Sequence, residues 1–81
     1  METRIALVGI IIEDIDAAAQ VNAVLHLYAE DIVGRMGIPY RQRNVSIISV
    51  VVDAPQNKIS AMTGKLGMIP GVSVKTIYSK S

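Results

Sequence analysis

The sequence predicts an α+β sandwich, in which a four-stranded antiparallel sheet is covered on one face by two helices. Three stretches are rich in β-branched residues, as strands are: 5–12, 45–52 and 72–78. Two other stretches repeat apolar residues at three- and four-residue spacing, as amphipathic helices do. A further extended segment is indicated by the glycine and proline within 35–43.

The first strand is predicted over Ile5–Ile12, which contains no polar residue. Both faces of such a strand must be shielded from water, so we place it in the centre of the sheet. The run is too short for a membrane helix, and Gly9 among β-branched residues argues against a buried helix.

The first helix is predicted to follow an acidic turn, in which Asp14 or Asp16 serves as the N-cap. The helix should begin near Asp16. An apolar stripe at helical spacing then extends the helix to about Val33, and Gly34 is the expected stop. The stripe consists of Ala18, Val21, Leu25, Tyr28 and Ile32.

The second half of the chain supplies two strands and a helix after an edge element. Pro39 cannot donate a ladder hydrogen bond, so 35–43 is an edge strand or an extended arm. A second apolar strand covers Val45–Val52. The second helix is expected from Gln56 to about Leu66, and the last strand, Val72–Tyr78, alternates as a solvent-exposed edge strand does.

The resulting order, β-α-β-β-α-β, is that of the ferredoxin-like fold, whose helices cover one sheet face and leave the other bare. The two central strands are apolar on both sides, so either set of side chains could meet the helices. A bare apolar face predicts a homo-oligomer, a dimer or a tetramer, formed through sheet faces or joined edges. The two sets are Leu7, Gly9, Ile11, Ile47 and Val51, and Ala6, Val8, Ile10, Ile48 and Val50.

Composition narrows the possible functions. Residues 1–81 form one predicted domain, small enough to be marginal as a single copy. The chain has no cysteine, which excludes disulfides and thiolate metal sites, and its net charge of +1 is too low for a typical nucleic-acid binder. No signal or membrane segment is apparent, so we expect a cytoplasmic protein without direct contact to nucleic acid or membrane.

One set of side chains could hold a metal. Asn22, His26 and Glu30 are spaced by four residues on the predicted first helix. Two ligands per chain, His26 and Glu30, could become four across a two-fold axis. The alternative is that the row is a solvated flank of the helix. No cofactor is identified.

Other polar groups allow both structural and functional interpretations. Asp14 and Asp16 could act as a carboxylate pair, although caps are commoner in such a turn. Arg35, Arg41 and Arg43 could hold an anion or RNA near Tyr40, or could keep an edge strand soluble and form ion pairs between subunits. No nucleophile or acid–base pair with a positioned partner is apparent, so we predict no catalytic residues and no enzyme.

The runs 34–43 and 59–76 resemble the iron-only hydrogenase system regulator family. The likeness extends over nearly the whole chain and includes Val21, Asn22 and His26. That family is similar to ACT domains and to the C-terminal sensor domain of the nickel-responsive repressor. The resemblance implies a ferredoxin-like, ACT-like fold, an oligomer built through sheets and a regulatory role.

The chain departs from both related patterns. Asp14 matches the acid of amino-acid-binding ACT domains, but Ile15 and Asp16 stand where proline and glycine are usual. The nickel sensor uses several histidines and a cysteine, so its site is not copied here. The repressor also has a DNA-binding arm, for which this chain leaves no residues.

We therefore predict a small-ligand-sensing regulatory homo-oligomer. Its pocket is expected at a subunit interface, between the turn after the first strand and the start of the second. The predicted ligand-binding residues are Glu13, Asp14, Ile15, Asp16, Gly34, Arg35 and Gly37. The alternative is a protein-interaction module that acts on a hydrogenase-assembly or transcription factor without a small ligand.

Overall fold

The computed structural model describes residues 2–80 as one sheet with two helices. Short 3₁₀ turns at Ile15–Ala17, Ala29–Asp31 and Arg41–Arg43 join the larger elements. The helices and strands are β1 (Arg4–Ile12), α1 (Ala18–Leu27), β2 (Ile32–Tyr40), β3 (Val45–Ala54), α2 (Gln56–Gly67) and β4 (Val72–Tyr78).

The four strands form an antiparallel sheet in the order β2-β3-β1-β4. The two most apolar strands, β1 and β3, pair in the centre, with Val8 opposite Val50. The strand that contains Pro39 lies at one edge, where a missing N–H donor costs least. The predicted α+β ferredoxin-like architecture is confirmed.

The core lies between the helices and one face of the sheet. Because side chains alternate along a strand, one set from β1 and β3 points inward. The sequence left open which set this is, and the structure places Ala6, Val8, Ile10, Ile48 and Val50 inside. The helices contribute Val21 and Leu25 from α1, and Ile59, Met62 and Leu66 from α2.

The other sheet face is uncovered by any element of residues 2–80. Its large aliphatic side chains are between 37% and 67% exposed, and these are Ile5, Leu7, Ile11, Met36, Ile38, Ile47 and Ile77. We call these seven residues, together with Gly9, Ser49 and Val51 between them, the outer face. Strand register arranges them in rows, with Ile11 beside Ile47 and Leu7 beside both Val51 and Ile77.

The predicted end of the first helix was wrong. The α-helix ends at Leu27, because Tyr28 has left the helical region with φ −112° and ψ 21°. Ile32 and Val33 then open β2, in keeping with the strand preference of β-branched residues. Gly34 is not a helix stop but a strand residue opposite Val51, after an irregularity in the ladder between Ile32 and Gly34.

Two turns depend on left-handed backbone. Asn44, with φ 57°, ends the 3₁₀ turn between β2 and β3, and asparagine is one of the few residues besides glycine that adopt this conformation readily. Gly71 has φ +80°, and a Cβ there would lie 2.6 Å from the Cβ of Asp14. Glycine is therefore required where the α2–β4 loop approaches the turn after β1.

Candidate functional site

The turn after β1 is built around Asp14. Its carboxylate accepts a hydrogen bond from the Asp16 amide at 3.0 Å, and its carbonyl accepts one from the Ala17 amide at 2.9 Å. The Glu13 amide donates to the carbonyl of Gly71 at 2.8 Å. Asp14 is thus the N-cap of the 3₁₀ turn Ile15–Ala17, whereas α1 itself begins later, at Ala18, without a side-chain cap. The turn is anchored to the α2–β4 loop.

The edge strand β2 presents Arg35 and Gly37 toward the helices. Both lie opposite inward residues of β3, Arg35 opposite Val50 and Gly37 opposite Ile48. The Arg35 side chain reaches α1, where Nη2 donates to Oδ1 of Asn22 at 2.7 Å. A groove of about 240 Å³ runs along this seam between α1 and β2.

We call this depression the α1–β2 groove. Its lining is mostly apolar, with polar groups only at Arg35, Asn22 and Ser46. Ser46 lies opposite Pro39 in the ladder and so at the end away from Arg35. The lining residues are Ile12, Ala18, Asn22, Arg35, Gly37, Ile38, Pro39, Ser46, Ile47 and Ile48.

A neighbouring groove of about 200 Å³ shares Ile12, Pro39 and Ser46 with the first. It extends past Ile15 toward Arg41 and Asn44. The structure therefore brings some predicted ligand residues to adjoining grooves: Arg35 and Gly37 to one, and Ile15 to the other. Glu13, Asp14, Asp16 and Gly34 line neither groove.

The predicted metal ligands are separated by the end of the helix. His26 lies in the last turn of α1 and lines a third depression, of about 310 Å³, beside Arg35. Glu30 follows in the 3₁₀ turn, so the four-residue row does not continue along one helix. Residues 2–80 contain no group of three His, Cys, Asp or Glu side chains able to hold a metal. A two-ligand site completed by a second copy stays a prediction.

Sequence reasoning missed Ser46 and Pro39 as groove residues and gave Asn22 a different role. The available signal was the period of two along β2, which puts Arg35, Gly37 and Pro39 on one side. The partnership of Asn22 with Arg35 joins positions thirteen residues apart in the chain, and no local pattern indicates it.

A family model for the TM1266-like proteins matches residues 4–76. The chain belongs to the TM1266-like family. That family is described as "Iron-only hydrogenase system regulator, putative". The resemblance stated from the sequence is confirmed at this level, whereas the likeness to ACT domains stays a prediction.

Solved structures agree with the TM1266-like assignment. The uncharacterized protein TM1266 from Thermotoga maritima is similar with a TM-score of 0.93 and 41% identity, over 98% of this chain and 100% of that chain. An unknown protein from Galdieria sulphuraria is similar with a TM-score of 0.64 and 18% identity, over 99% of this chain and 47% of that chain, which shows the fold alone. A comparison with curated proteins found no match. No helix within residues 2–80 is long and apolar enough to span a bilayer.

Proposed function

We propose that this chain is a regulatory protein of the iron-only hydrogenase system that acts as a homo-oligomer and senses a small ligand. The family description supports the regulatory role. The observation that carries the proposal is the apolar outer face, which no element of residues 2–80 covers.

The size of this face suits a protein contact. With strands about 4.8 Å apart and residues about 3.3 Å long, the four-stranded face is roughly 14 Å wide and 30 Å long. The largest apolar patches on monomeric proteins cover about 300–600 Å² and are often functional, and this face is of that size. An 81-residue domain also buries little surface alone, so a second copy adds needed apolar burial.

Gly9 gives a second reason to expect close approach by another molecule. Glycine weakens a strand interior, yet Gly9 occupies the middle of the central strand β1. The fold does not demand it, because a Cβ there would meet the carbonyl of Lys75 at an ordinary 3.8 Å. Gly9 pairs with Ser49 on one side and with Lys75 on the other, so a short valley formed by the two small residues Gly9 and Ser49 lies between the apolar rows at the centre of the outer face.

The shape and charge of the outer face favour a second copy as its occupant. Apolar rows beside a valley can interdigitate with the same surface turned by a two-fold rotation. Lys75 and Asp53 alternate onto this side of the sheet, and their opposite charges leave two copies without net repulsion. Self-association is therefore the mode we propose.

Strand β2 could couple ligand binding to subunit assembly, because it contributes residues to both surfaces. Successive residues of a strand point to opposite faces, so Arg35 and Gly37 face the α1–β2 groove while Met36 faces outward. Ile38 pairs with Ile47 of the outer face and also borders the groove. A ligand that moves β2 would move both sets together. Such a shared element is what couples a ligand site to a subunit interface.

Native mass spectrometry at micromolar concentration tests the assembly. We expect multiples of 8.7 kDa for the unmodified chain. Leu7→Lys, which places a charge in the outer face, should give a monomer. The matched control is Leu27→Lys on α1, where the side chain is 68% exposed away from this face. A monomeric unmodified chain, or dissociation by Leu27→Lys alone, would contradict the assembly.

A thermal-shift screen against amino acids, nucleotides and divalent metals tests ligand sensing. A ligand at about a hundred times its dissociation constant stabilises a protein by roughly 2.7 kcal/mol, which shifts the Tm of a domain this small by about ten degrees or more. A shift with one compound supports the sensor. An oligomer that responds to none of them would instead favour the protein-interaction module.

A further inference from the structure

We propose that the α1–β2 groove binds a small aliphatic carboxylate, with Arg35 as the group that holds the anion. This inference rests on the proposed function, because it names the chemical class of the ligand that the regulator senses. It uses the charge, the hydrogen bonding and the lining of the groove.

The charge of Arg35 has no acidic partner within residues 2–80. The one ion pair in that range joins Lys58 to Asp31 at 3.3 Å. No Asp or Glu lines the α1–β2 groove or the depression on the other side of Arg35. Asn22, a neutral acceptor, is the side chain that Arg35 contacts, so the positive charge is positioned without being neutralised.

Helix α1 fixes the orientation of the Arg35–Asn22 pair. The amide nitrogen of Asn22 donates to the carbonyl of Ala18 at 3.0 Å, which turns its oxygen toward Arg35. One hydrogen bond of Nη2 leaves further N–H donors of the guanidinium fork. A fork held in place by one neutral contact is suited to receive a carboxylate through two parallel hydrogen bonds.

The rest of the groove selects an apolar body. Ile12 and Ile48, both buried, form part of its lining together with Ala18 and Pro39. A Cβ on Gly37 would lie 3.9 Å from Cγ1 of Ile48, so the fold has room for a side chain that glycine leaves out. The absence of that side chain keeps the groove open beside Arg35.

Size and charge limit the ligand further. About 240 Å³ is below the usual range of drug-sized pockets, which starts near 300 Å³. A single arginine in an apolar groove matches a monoanion, whereas phosphate sites combine more cations or converging backbone amides. A branched acid of about six carbons is the scale we expect, with Ser46 near its far end.

The test is a titration of the ¹⁵N-labelled full chain followed by amide chemical shifts. The probes are 4-methylpentanoate, its uncharged amide 4-methylpentanamide, and inorganic phosphate. We expect the acid to shift signals of Asn22, Arg35 and Gly37 while Leu27 stays unchanged. The amide should bind at least about tenfold more weakly, as expected when a charged hydrogen bond is lost. Phosphate should also bind more weakly than the acid, because it has no apolar body to fill the groove.

Three variants locate the binding. Arg35→Gln should weaken binding of the acid at least about tenfold, whereas Arg43→Gln, an exposed arginine outside the groove, should change it less than about twofold. Asn22→Asp should weaken binding of the acid, because the new carboxylate would pair with Arg35 in place of the ligand. Gly37→Leu should fill the groove and abolish binding. Thermal unfolding of each variant confirms that the fold persists.

Several results would overturn the inference. The first two are equal affinities for the acid and the amide, and equal affinities of Arg35→Gln and the unmodified chain for the acid. The other two are tighter binding of phosphate than of the acid, and unchanged amide signals of the groove residues in millimolar acid. They are separable from failure of the proposed function. If the chain forms an oligomer but its groove does not bind the acid, only the carboxylate proposal is contradicted. If the chain is a monomer that binds the acid at Arg35, only the proposed assembly is contradicted.

Discussion

Ile10 and Ile11 are neighbours of the same residue type on β1, yet they lie in opposite environments. Ile10 points to the helices and is 0% exposed, whereas Ile11 points to the outer face and is 43% exposed. The two faces of this strand are thus equally apolar but unequally covered. The inner face needs its side chains for folding, and the outer face keeps large apolar side chains without a covering layer. That difference is the basis for assigning the outer face to assembly.

The largest expected effect separates these two isoleucines. In the Leu7→Lys background, which we expect to be monomeric, Ile10→Ala should lower the free energy of unfolding by about 3 kcal/mol, because it leaves a cavity in the core. Ile11→Ala should cost less than about 1 kcal/mol there, since its side chain is already partly hydrated. Urea denaturation measures both values. Equal losses would mean that the outer face is as important to the single chain as the core.

The single chain requires glycine at position 71, and a substitution there tests this requirement. Gly71→Ala should destabilise the fold by about 2 kcal/mol, since the backbone has φ +80° and the new Cβ would meet Asp14. Thermal and urea unfolding report the loss. Gly64→Ala in α2, where a Cβ meets nothing within 4 Å, is the control and should not destabilise. An unchanged stability for Gly71→Ala would contradict the close approach of the α2–β4 loop to the turn after β1.

Substitution of Asp14 tests the 3₁₀ turn that leads from β1 into α1. Asp14→Ala removes the acceptor of the Asp16 amide and should cost about 1 kcal/mol, as loss of an N-cap does. Asp14→Asn keeps an acceptor oxygen and should retain most of the stability. Urea denaturation of the two variants is the measurement. If the two variants lose equal stability, the capping oxygen is not the source of the effect.

Gly9 should have the smallest effect on folding and a distinct effect on assembly. Gly9→Ala should leave the monomer unchanged or stabilise it by about 0.5 kcal/mol, because alanine is better than glycine in a strand interior. It should also weaken self-association by filling the valley of the outer face. Sedimentation equilibrium at several concentrations measures the association constant. Unchanged association combined with a less stable monomer would reverse our interpretation of this glycine.

The fold was predictable because local signals agree with one another. The apolar runs gave β1 and β3, Pro39 indicated an edge, and α2 and β4 were found close to their observed bounds. The end of the first helix was not predictable from spacing, because Ile32 continues the helical stripe of apolar residues and yet belongs to β2. Its burial against the core suits either element, so only the backbone geometry at Tyr28 separates them.

Less of the candidate site was predictable. Arg35 and Gly37 were selected, and both line the α1–β2 groove, but the turn at Asp14 is a structural cap beside Gly71 rather than part of that groove. Which apolar set faces the helices also required the structure, because both faces of β1 satisfy the same pattern. Pairings such as Asn22 with Arg35 depend on how α1 lies against β2, which no single segment encodes.

The most direct test of the outer face as an assembly surface is an isotope-filtered NOE experiment on a mixture of labelled and unlabelled chains. We predict intermolecular contacts from the methyl groups of Leu7 and Ile11, and none from Leu27 on α1. Intermolecular contacts confined to Leu27, or a complete absence of contacts from Leu7 and Ile11 at concentrations where the oligomer is populated, would contradict the assignment of the outer face.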